Sequence, residues 1–574
     1  MKRTRFFRWL GEGLKARSRV HFWFALTLII VLTYSLLGLQ EAFAGNNIVQ
    51  DDARQHVFWM RRFLDPNLFP DDLIADYFQA VAPWGYQFVY WLPAQFGIDP
   101  LLWNKLLPVI LNLITAGFCF GMILEFISIP FAAFSGSILL AQSLGFTAAV
   151  VSGTQKAFIY PLFLAFIYFL LKKRFIAILI VIALQGVFYP QILLISAVTL
   201  FIRLFHLKQG RIQLHQQNFR LSISGLIVAM IVMLPFALKT NQFGPVITPE
   251  QAKQLPEFLP GGRASFFYPD DPSKFWLKGR SGLRFASALT PVTNAFGILL
   301  PILMRFPRWF PLTKKVSHKI SLLAQIWLAS GIMFAAAHLF LFQLHLPSRY
   351  TEHSLRILFS ITTGIVIVIL IDATIQLAET SWAHRAIKLF LPLATIVFFG
   401  TPLLFYPLLL NGFPSTAYKQ GTAPDLYTVL QQQPKDTLVA SMAAEVNNIP
   451  TFAQRSILVG SEYAIPYHWG YYQPFRQRTL DLITAQYSPN PQIVSEFIEN
   501  YQINFWLLNK AAFQVAYLAN NDWLQQYQPA TNQAEKQLQR EQTPVLETVI
   551  ENCSSFENEQ LVLLSSDCVV SEIQ

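Results

Sequence analysis

Charge is what this sequence has least of. Asp, Glu, Lys and Arg make up 13% of its 574 residues, against roughly 25% in an ordinary soluble domain, which excludes a water-soluble globule of the usual kind. The apolar stretches 20–40 and 131–151 hold no Asp, Glu, Lys or Arg at all, and Lys105 and Glu125 fall near the ends of theirs. With His338 as the clearest polar residue inside a stretch, little is left for the mid-membrane ionisable groups on which ion-coupled transport depends. There is no concentrated basic segment either. The net charge of +10 is spread over short loops, which argues for topology signals and contacts with membrane lipids, and against a nucleic-acid partner. Cysteine is scarce, with three in all. Cys119 sits in an apolar run and reads as a small core residue, whereas Cys553 and Cys568 lie together near the end of the chain, close enough in sequence for a disulfide.

What the sequence does have is hydrophobic length. Hydrophobic residues make up 53% of the chain and the mean hydropathy is +0.39. Apolar runs recur that match a hydrocarbon core of about 30 Å, and in lipid such runs must be helical to satisfy their own backbone. The expected fold is a polytopic α-helical membrane protein with about eleven spans, at 20–40, 101–126, 131–151, 156–171, 175–189, 190–205, 219–238, 286–304, 319–342, 354–373 and 387–410. The three between 156 and 205 are short, so one of them is a candidate re-entrant segment. The first run lacks a small-residue cleavage site and is expected to remain as an anchor. Strict alternation puts the N-terminus and the basic segments at 171–174, 203–220, 305–319 and 384–388 on one side, the cytoplasmic one by the positive-inside rule. The opposite side receives an acidic loop at 41–100, a long loop at 239–285 and everything beyond 410.

Two regions follow from this division: a membrane part, 1–410, and a soluble C-terminal part, 411–574. In the latter, β-type runs such as "TLVASMA", "SILVG", "NFWLLNK" and "LVLLSS" alternate with helical patterns such as "PQIVSEFIENY" and "NQAEKQLQREQ", which indicates a compact extracytoplasmic α/β domain. The loop 239–285 is rich in Pro, Gly and aromatics and is expected to cover or line a site.

The acidic loop carries the chemistry. Its stretch "NNIVQDDARQHVFWMRRFLDPNLFPDDLIADYF", residues 46–78, holds six carboxylates against three arginines in a basic chain. Two readings stand beside each other. In one, Asp51 or Asp52 caps an amphipathic helix "ARQHVFWMRRFL" whose apolar residues at 57, 58, 60, 63 and 64 face the membrane surface. In the other, a carboxylate at a dry boundary removes a proton from an acceptor hydroxyl while nearby cations stabilise a leaving phosphate. A second cluster, Asp71, Asp72 and Asp76, either binds a divalent metal through oxygen ligands or keeps the loop solvated.

With "QDDARQH" placed directly after the first span, the sequence resembles the membrane-integral glycosyltransferases of the GT-C superfamily, whose first extracytoplasmic loop carries an acidic pair followed by interfacial helices. The resemblance implies an inverting transfer of a sugar from a polyprenyl-phosphate-linked donor to a glycan, lipid or protein acceptor at the outer face of the plasma membrane, without a certain cofactor. It makes Asp51 or Asp52 the base, with His56 from the same motif beside the substrate. "HLPSRYTEH" offers Arg349 for the donor phosphate, flanked by His345 and Tyr350, and "SGTQKAFIYP" offers Lys156; Arg supplies a bidentate fork, Lys a point charge. Tyr189 and Gln191 in "FYPQ", at an outward turn, are candidates for sugar or lipid contact, and the aromatic segment "GSEYAIPYHWGYYQPFRQR" can stack on sugar rings or simply fill an α/β core. The rival readings are a transporter or flippase of envelope precursors and a non-catalytic envelope assembly protein.

Overall fold

The computed structural model describes residues 17–208, 211–238, 242–380, 385–410 and 412–574. The basic N-terminal segment lies outside these, as do residues 239–241 of the long loop and parts of the basic segments 203–220 and 384–388. The membrane part is built of α1 (Arg17–Ala42), α2 (Pro100–Phe126), α3 (Pro130–Gly145), α4 (Ile159–Leu171), α5 (Phe175–Phe188), α6 (Pro190–Arg203), α7 (Gln216–Leu238), α8 (Ser321–Leu339), α9 (Ser348–Thr380) and α10 (Arg385–Phe405). Among the described residues, six helices are long and apolar enough to cross a membrane, those built on α1, α2, α7, α8, α9 and α10.

The remaining expected spans are shorter or broken. At about 1.5 Å per residue, the 14 residues of α5 or of α6 reach only about 21 Å. The stretch 286–304 is a 3-10 helix, Val292–Leu299, followed by one short helix, Leu300–Arg305, rather than a regular span. Pro291 and Pro301 bring no backbone donors, and the segment leans instead on α9: Thr363 Oγ1 donates to the Asn294 carbonyl at 2.9 Å, and Asn294 Nδ2 to Ser360 Oγ at 3.2 Å.

Helix α9 is the axis of the bundle, with most of its length buried, and packs on α3, α8 and α10. Its crossing with α3 is made by two glycines. A Cβ on Gly364 would meet the backbone N and Cα of Gly136 at 2.5 and 2.6 Å, so small residues permit the approach that dispersion in lipid requires. Gly364→Ala is expected to lower stability by about 1–3 kcal/mol, because backbone atoms cannot yield as a side chain can; a thermal melt of the detergent-solubilised protein reads it.

The bundle has two chemically distinct ends. At one, Glu125 at the foot of α2 binds Lys172 at 2.5 Å and Lys319 at 2.6 Å, gathering the basic turns before α5 and α8. At the other, the acidic loop, the loop 242–285 and the C-terminal region meet. Asp99 starts α2 there: its Oδ1 accepts from Leu101 N at 2.7 Å, Pro100 takes the first helical position, and its Oδ2 accepts from Arg61 of the acidic loop at 2.8 Å.

Beyond the last membrane helix the chain forms a five-stranded mixed sheet from β5 (Leu438–Ser441), β6 (Ser456–Ile457), β7 (Phe505–Asn509), β8 (Ser554–Glu557) and β9 (Leu561–Ser565), in the order β6-β5-β7-β9-β8. The first three are parallel and the last two antiparallel additions. Four of these strands fall on the β-type runs; β8 was not anticipated. Helices Trp469–Gln486, Pro491–Tyr501 and Ala530–Gln539 surround the sheet, and Cys553 and Cys568 form a disulfide. A hairpin of β2 (Phe205–Lys208) and β3 (Arg211–Leu214) links α6 to α7. The acidic loop is stitched to the C-terminal region by a two-stranded ladder, β1 (Ile48–Gln50) with β4 (Tyr418–Gln420).

Candidate active site

The acidic loop folds differently from the amphipathic helix expected of it. Ala53–His56 is one helical turn and Phe58–Phe63 a 3-10 helix. Val57, Phe58, Trp59 and Met60 are fully buried, with Phe58 against Phe69 at 5.2 Å and Tyr463 at 5.7 Å, so most of this apolar face is covered by the acidic loop itself and the C-terminal region, and Leu64 alone of the five expected residues is exposed. An apolar periodicity records that a face is covered and carries no record of what covers it. Next comes helix Leu73–Val81, whose Tyr77 stacks on Tyr471 at 3.7 Å. Tyr463, Tyr471 and Tyr472 are fully buried, which makes these aromatics of the tail packing residues and removes them as sugar platforms.

The second acidic cluster is dispersed. Asp72 is buried and caps helix Leu73–Val81, accepting from Ile74 N at 2.8 Å and Ala75 N at 2.9 Å; Asp76 binds Arg62 at 2.7 Å; Asp71 is exposed. Solvation therefore describes Asp71 alone. Among the described residues no three His, Cys, Asp or Glu side chains gather as a set for a metal ion, so the donor set does not fit a resident divalent cation.

The aspartate pair splits. Asp51 binds Arg54, which also reaches Glu462 of the C-terminal region at 3.2 Å and Asn448 Oδ1 at 3.2 Å; Arg263 of the long loop meets the same Glu462 at 2.6 Å. Asp51 thus belongs to a charge network that fastens three segments together. Asp52 stands at the N-terminus of the turn Ala53–His56 but makes no side-chain cap bond there. Its carboxylate instead receives Lys156 Nζ at 2.5 Å.

Lys156 sits in the 3-10 turn Gln155–Phe158 that leads into α4. The preceding loop is held by Tyr90, whose hydroxyl donates to the Gly153 carbonyl at 2.7 Å, and by Asn104, whose Nδ2 donates to the Ser152 carbonyl at 2.7 Å. Gly153 adopts φ +60°, and a Cβ there would collide with Asn104 Nδ2 at 2.5 Å; a glycine is what lets the loop close and aim Lys156.

Arg349 contributes from the first turn of α9. Burial opposes ionisation of Asp52, yet Lys156, with His56 and Arg349 adding to it, holds the carboxyl below its usual range. Asp52, Lys156 and Arg349 therefore share one electrostatic environment, and their side chains keep 33%, 25% and 26% of their surface accessible. Arg349 Nε is buried without a hydrogen-bond partner.

The other sequence candidates distribute unevenly. His56 packs on Phe78 at 5.5 Å within the field of Asp52 and Lys156. Tyr189, in the turn between α5 and α6, is buried with its ring 6.5 Å from that of His353. Gln191 follows it, its Oε1 buried without a partner. His345 packs on Tyr467 at 5.8 Å. Tyr350 is fully buried, and its hydroxyl donates to the Leu344 carbonyl at 2.8 Å, a bond that braces its own loop.

Beyond these, α9 begins six residues ahead of the expected span, so its outer turns carry Arg349, Glu352, His353 and Arg356. Glu352 is the carboxylate shared by Arg284 at 3.4 Å, Arg356 at 3.7 Å and Arg349 at 3.9 Å. His353 Nδ1 pairs with the Tyr160 hydroxyl at 2.9 Å, and its Nε2 is buried without a partner. The signal was present in "SRYTEHSLR": positions 349, 352, 353 and 356 are spaced by three and four, one helix face. This replaces His338 as the clearest polar feature within a span; the His338 ring pairs with the Ser281 carbonyl at 2.9 Å.

Two half-buried histidines give the region a pH dependence. Desolvation pushes His56 from 6.5 down to about 4, the Lys156 charge adding to it and Asp52 opposing, and pushes His345 down to about 3, with Arg349, Arg280 and His468 adding to it. Both bases take protons more readily unfolded, so their contribution is complete above about pH 6.5 and is lost as the pH falls toward 4, on the order of 2–3 kcal/mol each. The thermal midpoint should drop over that window, and His56→Gln should flatten the drop.

These features define, among the described residues, a largely helical protein with six helices long and apolar enough to cross a membrane and a mixed sheet beyond them. In particular, the fold is similar to that of the oligosaccharyltransferase of Archaeoglobus fulgidus. The structure of that enzyme tethered through a disulfide bond to an acceptor peptide containing the NVT sequon aligns with a TM-score of 0.54 at 12% identity, over 89% of this chain and 72% of that one. Its apo form gives 0.53 at 10% identity over 88% and 72%, and its complex with an inhibitory peptide and a dolichol-phosphate gives 0.52 at 11% over 89% and 72%. Neither a family model nor a curated protein matches the sequence.

Proposed function

We propose that the protein is an inverting glycosyltransferase that moves a sugar from a polyprenyl-phosphate-linked donor to an acceptor, with Asp52 as the base and Lys156 and Arg349 receiving the donor phosphate. The observation that carries this reading is the convergence of an ionised, uncapped carboxylate with an ammonium and a guanidinium, brought together from three distant segments and all still accessible. The fold supports it, since the A. fulgidus enzyme has been captured with an acceptor peptide and with a dolichol-phosphate.

In the proposed reaction the acceptor hydroxyl attacks the anomeric carbon from the face opposite the phosphate. The new glycosidic bond forms as the carbon–oxygen bond to phosphate breaks, the electron pair stays on the phosphate oxygen, and the acceptor proton passes to Asp52. Lys156 and Arg349 lower the energy of the charge that develops on the leaving group. Asp52 is preferred over Asp51 because Arg54 and Glu462 already occupy Asp51 in a structural network. Tyr189, Gln191 and His56 line the approach of the sugar, and His345 and Tyr350 support the loop that carries Arg349.

The wider reading has about eleven membrane segments in 1–410 and a soluble domain in 411–574. The acidic loop 41–100, the long loop 239–285 and that domain face the outside of the plasma membrane, with the N-terminus cytoplasmic. The pairing of Glu125 with Lys172 and Lys319 supports this alternation by collecting basic turns at the end remote from Asp52. The test is a transfer assay on the full chain in lipid vesicles with a radiolabelled polyprenyl-phosphate sugar. Formation of labelled product with inverted anomeric configuration is expected; vesicle flux of the intact donor without product would favour a flippase instead.

A further inference from the structure

Carboxylates beside a phosphate-handling site ordinarily recruit a divalent cation, which orients both and offsets their charge. Here the place next to the carboxylate is filled by a side chain. Lys156 Nζ lies 2.5 Å from Asp52 Oδ2, in a loop that Tyr90, Asn104 and Gly153 hold rigidly. Arg349 adds a second fixed positive charge within range of the same carboxylate. The neighbouring carboxylate, Asp51, is bound by Arg54, and Asp72 and Asp76 are engaged in a helix cap and an ion pair. A divalent ion entering here would have to expel an ammonium and then sit against a guanidinium, with too few oxygen ligands to offset either.

We infer that Lys156 is the resident cation of this site, doing for Asp52 and for the donor phosphate what a divalent metal would do, so that transfer proceeds without one. The inference rests on the glycosyltransferase reading for its phosphate half, but its cation half can be tested without turnover. An ammonium has three donors, so Lys156 can keep one on Asp52 while another meets the phosphate oxygen that takes the electron pair of the broken glycosyl bond. The position within the loop is then decisive: a carboxylate at 156 would face Asp52 and recreate a pair of oxygen ligands.

The experiment uses the full chain, stripped with EDTA, in detergent or vesicles. Its thermal midpoint is followed during titration with Mn²⁺ and separately with Mg²⁺, metal content is measured after dialysis, and transfer is assayed with and without EDTA. For the wild-type chain we expect no stoichiometric metal, no shift of the midpoint with either ion, and transfer unchanged within about twofold by EDTA. Lys156→Glu should acquire a Mn²⁺-dependent rise in midpoint, and transfer at least tenfold below wild type in EDTA that recovers in part with Mn²⁺. One equivalent of metal on the wild-type chain, a tenfold loss of transfer in EDTA restored by Mn²⁺, or a folded Lys156→Glu chain with no response to Mn²⁺ would each overturn the inference. A wild-type chain that ignores Mn²⁺ and also transfers no sugar overturns the functional reading while leaving the cation assignment standing.

Discussion

Asp52→Asn should reduce the rate of transfer by about 10²–10⁴-fold, the range for loss of a positioned general base. The amide preserves the shape of the side chain and can still accept from Lys156, so the fold and the donor site are expected to survive; the loss should appear in kcat with KM for the donor little changed. Asp51→Asn is the matched comparison. Because Asp51 binds Arg54 within the network to Glu462, its replacement should leave transfer within a few-fold and lower the thermal midpoint instead. Equal losses of kcat in both variants would remove Asp52 from its role. The electrostatics add a second readout. Lys156 and its neighbours hold Asp52 below its usual range against the opposing effect of burial, so any acid limb it causes in the pH–rate profile should lie below the ordinary carboxylate range.

Glu352→Gln should cost about 3–5 kcal/mol, the scale for breaking a buried charge cluster from one side. Arg284, Arg349 and Arg356 lie 3.4–3.9 Å from this carboxylate, and Arg356 is almost fully buried, its Nη1 donating to the Ser143 carbonyl at 2.7 Å and its Nη2 to Ser287 Oγ at 2.9 Å. Without the carboxylate three guanidiniums face one another in the outer turns of a buried helix. The measurement is the thermal midpoint in detergent, where pairing Glu352→Gln with Arg284→Gln should recover part of the loss and added inorganic pyrophosphate should raise the midpoint of the single variant more than that of wild type. A single variant as stable as wild type would show that Glu352 does not hold the cluster.

Much of the architecture was legible because lipid imposes a strict rule on sequence. Long apolar runs such as 101–126 and 319–342 fall on α2 and α8, and the β-type runs after residue 410 fall on β5, β6, β7 and β9. What failed did so for identifiable reasons. The run 286–304 holds no charged residue, but hydropathy does not register that Pro291 and Pro301 bring no backbone donors and that the Asn294 carbonyl takes its partner from Thr363 of α9. Hydropathy starts α9 at 354 because "SRYTEH" is polar, and a scale that scores burial in lipid cannot represent charges that neutralise one another inside a bundle. In the site, Asp52, Lys156 and Arg349 were each visible as chemistry-bearing residues, yet nothing local couples position 52 to position 156. The same limit separated the two aspartates: adjacent in "QDD", they differ only through Arg54, Glu462 and Lys156, and two of those three partners lie more than a hundred residues away.

The ladder between β1 and β4 ties the acidic loop to the opening of the C-terminal region. Gln50 pairs with Tyr418, the backbone N–H of Asp51 donates to the Ala417 carbonyl at 3.0 Å, and Gln50 Oε1 accepts from the N–H of Asp52 at 2.9 Å. During synthesis from the N-terminus, β1 is threaded early and has no partner strand until more than 360 further residues have emerged and the tail has returned to it. A nascent polypeptide arrested before that return would hold its apolar helices in the bilayer with the strand that leads into Asp51 and Asp52 still unpaired. The backbone register of the acidic loop is therefore among the later features of the chain to be set.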